Sequence, residues 1–150
     1  MSILDAQFQV VRRGPRRRFT VDRANRSLVL IRRVIADVII DYQQMLDLQE
    51  IVEATGSCGR GEHVGRYREE LAATVQRLQR CLEELTELGV EIRDWGLGVV
   101  DFPAMADGRE VYLCWQFGEP SVMYWHEVNA GDTGRQPIDS LPPSAFLAAG

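Results

Sequence analysis

Residues 78–93 read LQRCLEELTELGVEIR, and the hydrophobic period changes inside this stretch. Up to Leu88 the apolar residues recur at intervals of three and four; after Gly89 they alternate, as Val90-Glu91-Ile92-Arg93. The first spacing lines one face of a helix and the second lines one side of a strand. Gly89 stands where a helix commonly ends on a left-handed residue. A helix therefore gives way to a sheet at this glycine, and the chain divides into a helical part and a β part.

Upstream, Leu71, Thr74, Leu78, Cys81, Leu85 and Leu88 form an apolar seam widened by Val75 and Leu82, with Glu, Arg and Gln on the other face. This predicts a helix over about 62–89. Before it, Gly56, Gly59 and Gly61 fall within seven residues and mark a loop. An earlier helix is predicted over about 20–54. Thr20 is its N-cap, and Asp22 sits in the first turn, where a carboxylate favours the positive helix end. Leu28, Ile31, Ile35, Val38, Tyr42 and Met45 form a heptad seam, with Leu30, Val34, Ile39 and Leu46 as a second flank. That stripe is too wide for one partner helix, so the first helix should also meet a sheet or another subunit. Two helices of this length run roughly 45 Å each, and the short connection makes them antiparallel neighbours.

Downstream, strand candidates are 90–93, Leu97–Phe102, Glu110–Phe117 and Val122–Glu127. Asp107-Gly108 is a tight-turn dipeptide, and Gly118-Glu119-Pro120-Ser121 reads as another turn. The predicted fold is α+β: a long antiparallel helical hairpin followed by a small C-terminal antiparallel β-sheet of three to four strands. Residues 19–138 form the single domain, with strands between about 90 and 127. Residues 1–18 read as a basic flexible arm, and residues 139–150, with Pro142 and Pro143, as an irregular tail.

All 17 basic residues are Arg, so pyridoxal-phosphate and other Schiff-base chemistry and a Walker-type nucleotide loop, which need a lysine, are excluded. The net charge of −5 is uneven: nine Arg against Asp5 and Asp22 give +7 over residues 1–33, and eight Arg against twenty acids give −12 over the rest. The arm, with Arg12, Arg13, Arg16, Arg17 and Arg18, could contact nucleic acid by neutralising phosphates; the acidic body and the lack of interleaved aromatics favour a solvated arm instead. Cys58, Cys81 and Cys114 are odd in number and lack CxxC spacing, which argues against a disulfide framework and a zinc knuckle. No signal-like or membrane-spanning apolar run is seen, and a cytoplasmic setting is expected.

Turn lengths suggest strand registers. A two-residue turn at Asp107-Gly108 sets Asp101 opposite Cys114; a four-residue turn at 118–121 would set Cys114 opposite Trp125. On that register Asp101, Cys114 and Trp125 share one face, and His126 lies on the other with Leu113 and Trp115. The candidate ligand-binding set is Asp101, Cys114, Trp125 and Arg135, and the candidate divalent-metal set is Asp101, Glu119 and His126. Carboxylates with one imidazole suit such an ion, and Arg135 suits an anionic group. The competing reading is a buried polar network that only specifies the fold. Cys58, Glu62 and His63 form a second cluster, better read as part of a plain interhelical loop. No GxSxG occurs, and Cys114 with His126, on opposite faces in this register, does not make a nucleophile pair.

One string of residues is distinctive: Leu88-Gly89-Val90, Val100-Asp101-Phe102-Pro103, Gly108-Arg109, Cys114-Trp115, Gly118-Glu119, Trp125-His126 and Gly134-Arg135-Gln136-Pro137. With Phe19-Thr20-Val21 and Ala24-Asn25, it resembles an uncharacterised bacterial family, domain of unknown function 2203, over roughly residues 18 to 138. The resemblance implies a small cytoplasmic protein with a helical pair and a terminal β element, and it supplies no activity. Two readings of function follow. One is a non-enzymatic interaction or regulatory protein that forms a homodimer through its hairpin, motivated by the two heptad seams. The other is a small metal- or anion-binding protein, or an enzyme, using the C-terminal Asp/Glu/His/Arg cluster.

Overall fold

The computed structural model describes residues 18–56, 61–130 and 134–146. The arm, apart from Arg18, lies outside them, as do residues 57–60 with Cys58, the side chains of Glu62 and His63, and the last four residues of the tail.

Two helices, α1 (Val21–Gly56) and α2 (Gly61–Leu88), precede five strands: β1 (Glu91–Asp94), β2 (Val99–Ala106), β3 (Arg109–Gln116), β4 (Tyr124–Glu127) and β5 (Gln136–Pro137). The strands pair in chain order, each antiparallel to the next. The α+β architecture is the one the periodicity predicts, with more strands than the expected three to four. The additional strand, β5, is two residues long and contains Pro137, so it has no alternation to read; a strand of this kind is tolerated at a sheet edge.

The helix ends are built by the predicted residues. The Thr20 hydroxyl accepts a hydrogen bond from the Arg23 amide at 3.2 Å, an N-cap. At the other end of the hairpin Gly89 takes φ 86°, and the Val90 amide reaches back to the Leu85 carbonyl at 2.9 Å. That six-residue closure satisfies a helix-end carbonyl and turns the chain into the sheet. The Arg77–Asp41 ion pair links α2 to α1. No described helix is long and apolar enough to cross a membrane.

The core lies between the hairpin and one face of the sheet. Leu28, Ile31, Ile35, Val38 and Met45 of α1 and Leu78 and Leu85 of α2 are buried with Val100, Phe102, Leu113 and Trp115. The second flank of α1 is divided. Val34 is buried and Ile39 packs on the core, but Leu30 and Leu46 stay exposed. Ile39 meets the turn between β1 and β2, where Gly98 sits at φ +72°; a Cβ there would lie 2.7 Å from Ile35 Cγ2 and 2.8 Å from Ile39 Cδ1. The predicted need of α1 for a sheet as well as a helix is thus met within the chain. Beyond β5, two single 3-10 turns, Ile138–Ser140 and Pro143–Ala145, bring Leu141 and Ala145 into the core.

Candidate functional site

The tight turn at Asp107-Gly108, both residues at positive φ, pairs Ala106 with Arg109 and Asp101 with Cys114, as the turn length predicts. The next register differs. Cys114 pairs with Tyr124, Leu113 with Trp125 and Tyr112 with His126, one residue from the expected alignment. The connection is not a four-residue hairpin turn. The Glu119 amide bonds the Gln116 carbonyl, the Glu119 carboxylate accepts the Gln116 amide, and the Trp115 indole donates to the Glu119 carbonyl. Val122, expected to pair with Phe117, donates its amide to the Asn25 side chain of α1 at 2.7 Å. A shift of one residue exchanges the two faces of a strand. Trp125 therefore belongs to the core, donating its indole N–H to Ser140 Oγ at 2.8 Å and to the Pro137 carbonyl at 3.1 Å. His126 moves to the face of Asp101 and Cys114.

The three meet beneath the outer surface of the sheet. One donor atom from each of Asp101, Cys114 and His126 lies within 4.8 Å of the other two. The residues are 5%, 2% and 0% exposed. Each is held by a further group. Asp101 Oδ2 accepts from Arg93 Nε at 2.8 Å, and its Oδ1 is 3.0 Å from His126 Nε2. His126 Nδ1 is 2.8 Å from the Glu127 carbonyl oxygen. The carbonyl and the carboxylate both only accept, so each ring nitrogen faces an acceptor, with Arg93 Nη2 also 3.5 Å from Nδ1, and Nε2 is the nitrogen turned to Asp101. The Tyr112 ring packs on the imidazole, with centroids 5.4 Å apart.

The Cys114 thiol has Arg135 as its neighbour. Burial holds this thiol above the ordinary thiol range, and the hydrogen bond from Arg135 acts in the opposite direction. Arg135 also donates to Glu119 Oε1 at 2.6 Å and covers the Tyr124 ring at 4.2 Å. Burial acts to lower the Arg135 pKa; its bonds to Glu119 and Cys114 outweigh burial and raise it. Glu119, placed in the metal set from sequence, is thus engaged with Arg135 and the Gln116 amide, while Cys114, placed in the ligand set, takes its position beside Asp101 and His126.

The sequence pattern of an uncharacterized conserved protein family, DUF2203, matches residues 17–138. The chain belongs to this family. No curated protein and no solved structure matches it. Among the residues that carried the resemblance, Asp101, Cys114, Glu119, His126 and Arg135 lie close together, while Gln136-Pro137 forms the edge strand and Asn25 ties the β3–β4 connection to α1.

Arg93 was missed from sequence. Its only local signal is the alternation of β1, which places it on the side of Glu91, the residue paired with Asp101. The connection of residues 95–98 is not a two-residue turn, and the β1–β2 register shifts between Ile92 and Asp94, so no turn rule yields the Arg93–Asp101 contact.

Proposed function

We propose that this DUF2203 domain binds one divalent transition-metal ion of the zinc type through Asp101 carboxylate, Cys114 thiolate and His126 Nε2. The observation that carries the reading is that all three donor atoms lie within 4.8 Å of one another and each ligand already has an orienting partner. Such outer partners fix the tautomer of a ligating histidine and the direction of a ligating carboxylate. A thiolate with an imidazole and one carboxylate favours a borderline-soft ion over magnesium or calcium. Binding would release the Cys114 proton, and the Asp101 and Cys114 charges would then balance the dication. Three protein ligands leave a fourth tetrahedral position for a water or another small donor. The donors are 0–5% exposed, so the ion would be shielded from bulk water.

The test is titration of the full chain with Zn²⁺ and with Co²⁺. One equivalent should bind, and cobalt should give a thiolate-to-metal charge-transfer band that disappears in Cys114→Ser. His126→Ala should lose the ion, and Arg93→Gln should weaken it roughly 10–100-fold. A folded protein that binds neither ion, or a cobalt band that survives Cys114→Ser, removes this reading.

Self-association through the hairpin is a second, independent reading. It is supported by the apolar residues α1 leaves exposed, Val29, Leu30, Ile40, Leu46 and Ile51, after both the sheet and α2 have packed against it. Sedimentation of the purified chain tests it, a strict monomer at micromolar concentration being the opposing result.

A further inference from the structure

Three of the exposed apolar residues of α1 are regularly placed: Val29 (66% exposed), Ile40 (64%) and Ile51 (38%) are each eleven residues apart. Eleven residues are close to three turns, so the three side chains lie along one line of the helix. This line faces away from the buried seam of Ile31, Val38 and Met45, and Arg33 and Asp47 are exposed beside it. Arg33 makes no ion pair or hydrogen bond among the described residues, while Asp47 accepts only the amide of Gln43, at 3.0 Å.

The arrangement is self-complementary. Arg33 precedes Ile40 by seven residues and Asp47 follows it by seven, just as Val29 and Ile51 are equally spaced on either side. The charge of the whole helix is divided at the same place. Residues 21–39 carry four Arg and two Asp, net +2; residues 41–56 carry two Asp and two Glu and no Arg, net −4. A parallel copy would set like charge against like. An antiparallel copy sets each basic half against an acidic half.

We propose that α1 pairs with α1 of a second copy of this chain, antiparallel, about a two-fold axis at Ile40. Ile40 meets its own copy once, on the axis, while Val29 meets Ile51 of the partner and Arg33 meets Asp47 of the partner twice each by symmetry. This rests on the self-association reading and gives it a surface and a register. The contact line spans 22 residues, about 33 Å. It is a single line of side chains, so the dimer is weak and its charge contacts are screened by salt.

Sedimentation equilibrium of the full chain at low and high salt tests the proposal. The wild type should dimerise at low salt and dissociate as salt rises. Ile40→Glu, at a position exposed enough to leave the fold intact, should weaken the dimer on the order of a hundredfold, since two apolar side chains leave the central contact and two carboxylates meet on the axis. Arg33→Asp should weaken it about tenfold, and the exchange R33D/D47R should restore it. A wild-type monomer overturns both this proposal and self-association. A dimer that persists in both Ile40→Glu and Arg33→Asp, or is not recovered by R33D/D47R, overturns this surface alone. The metal reading stands or falls separately.

Discussion

The strands β2, β3 and β4 serve two faces of one sheet, and the faces are held by different forces. On the inner face Val100, Phe102, Leu113, Trp115 and Trp125 join the hairpin in an apolar core. On the outer face Asp101, Cys114 and His126 are almost equally buried but are held by ionic and hydrogen-bonded partners, Arg93, Arg135 and the Glu127 carbonyl. The inner face needs only apolar volume, which many residues supply. The outer face needs particular atoms in particular directions, since a buried polar group without its partner is costly. Volume and direction therefore respond differently to substitution, and the difference is measurable.

The largest effect should come from the inner face. Trp115→Ala removes a side chain that is 0% exposed and should destabilise the protein by about 3–5 kcal/mol in urea unfolding, as large core truncations do. Asp101→Ala should cost less, about 2–3 kcal/mol: His126 is fully buried beside the lost carboxylate, but Arg93 keeps partial access to water. Zinc separates the two variants more sharply. At a hundred times the dissociation constant it should add about 2.7 kcal/mol to the wild type and to Trp115→Ala, and nothing to Asp101→Ala. Equal gains in both variants would break the division between the faces.

Gly98→Ala probes where α1 meets the sheet. Its φ of +72° disfavours a side chain, and a Cβ would crowd Ile35 and Ile39, so a loss of roughly 1–3 kcal/mol in thermal or urea unfolding is expected. The smallest effect is chemical. Burial, followed by Asp37, Glu84 and Asp41, raises the Cys81 thiol, and burial raises the Cys114 thiol. A raised pKa lowers the thiolate fraction at neutral pH, so alkylation of both should be slow at pH 7 and climb about tenfold per unit toward and past the ordinary thiol value. Peptide mass spectrometry should show zinc slowing Cys114 and leaving Cys81 unchanged.

Much of this molecule is written locally. The change of period at Gly89, the Thr20 cap and the Asp107-Gly108 turn each depend on residues a few positions apart, and all three have the predicted structures. The same locality made the Asp101–Cys114 pairing readable, because a two-residue turn leaves one register. The core membership of Trp125 was not readable, nor was the place of His126 beside Asp101. Both follow from a connection tied by Val122 to Asn25, 97 residues away, and by the Trp115 indole to Glu119. Arg93 likewise reaches Asp101 across an irregular β1–β2 pairing.

By itself, then, the sequence determined two helices, the strands that follow and the residue types available for chemistry, since periodicity and turn chemistry act within a few residues. Only the tertiary structure decided which face each residue of β4 occupies. Its register is set by side chains distant in the chain, and one residue of register exchanges a core tryptophan for a candidate metal ligand.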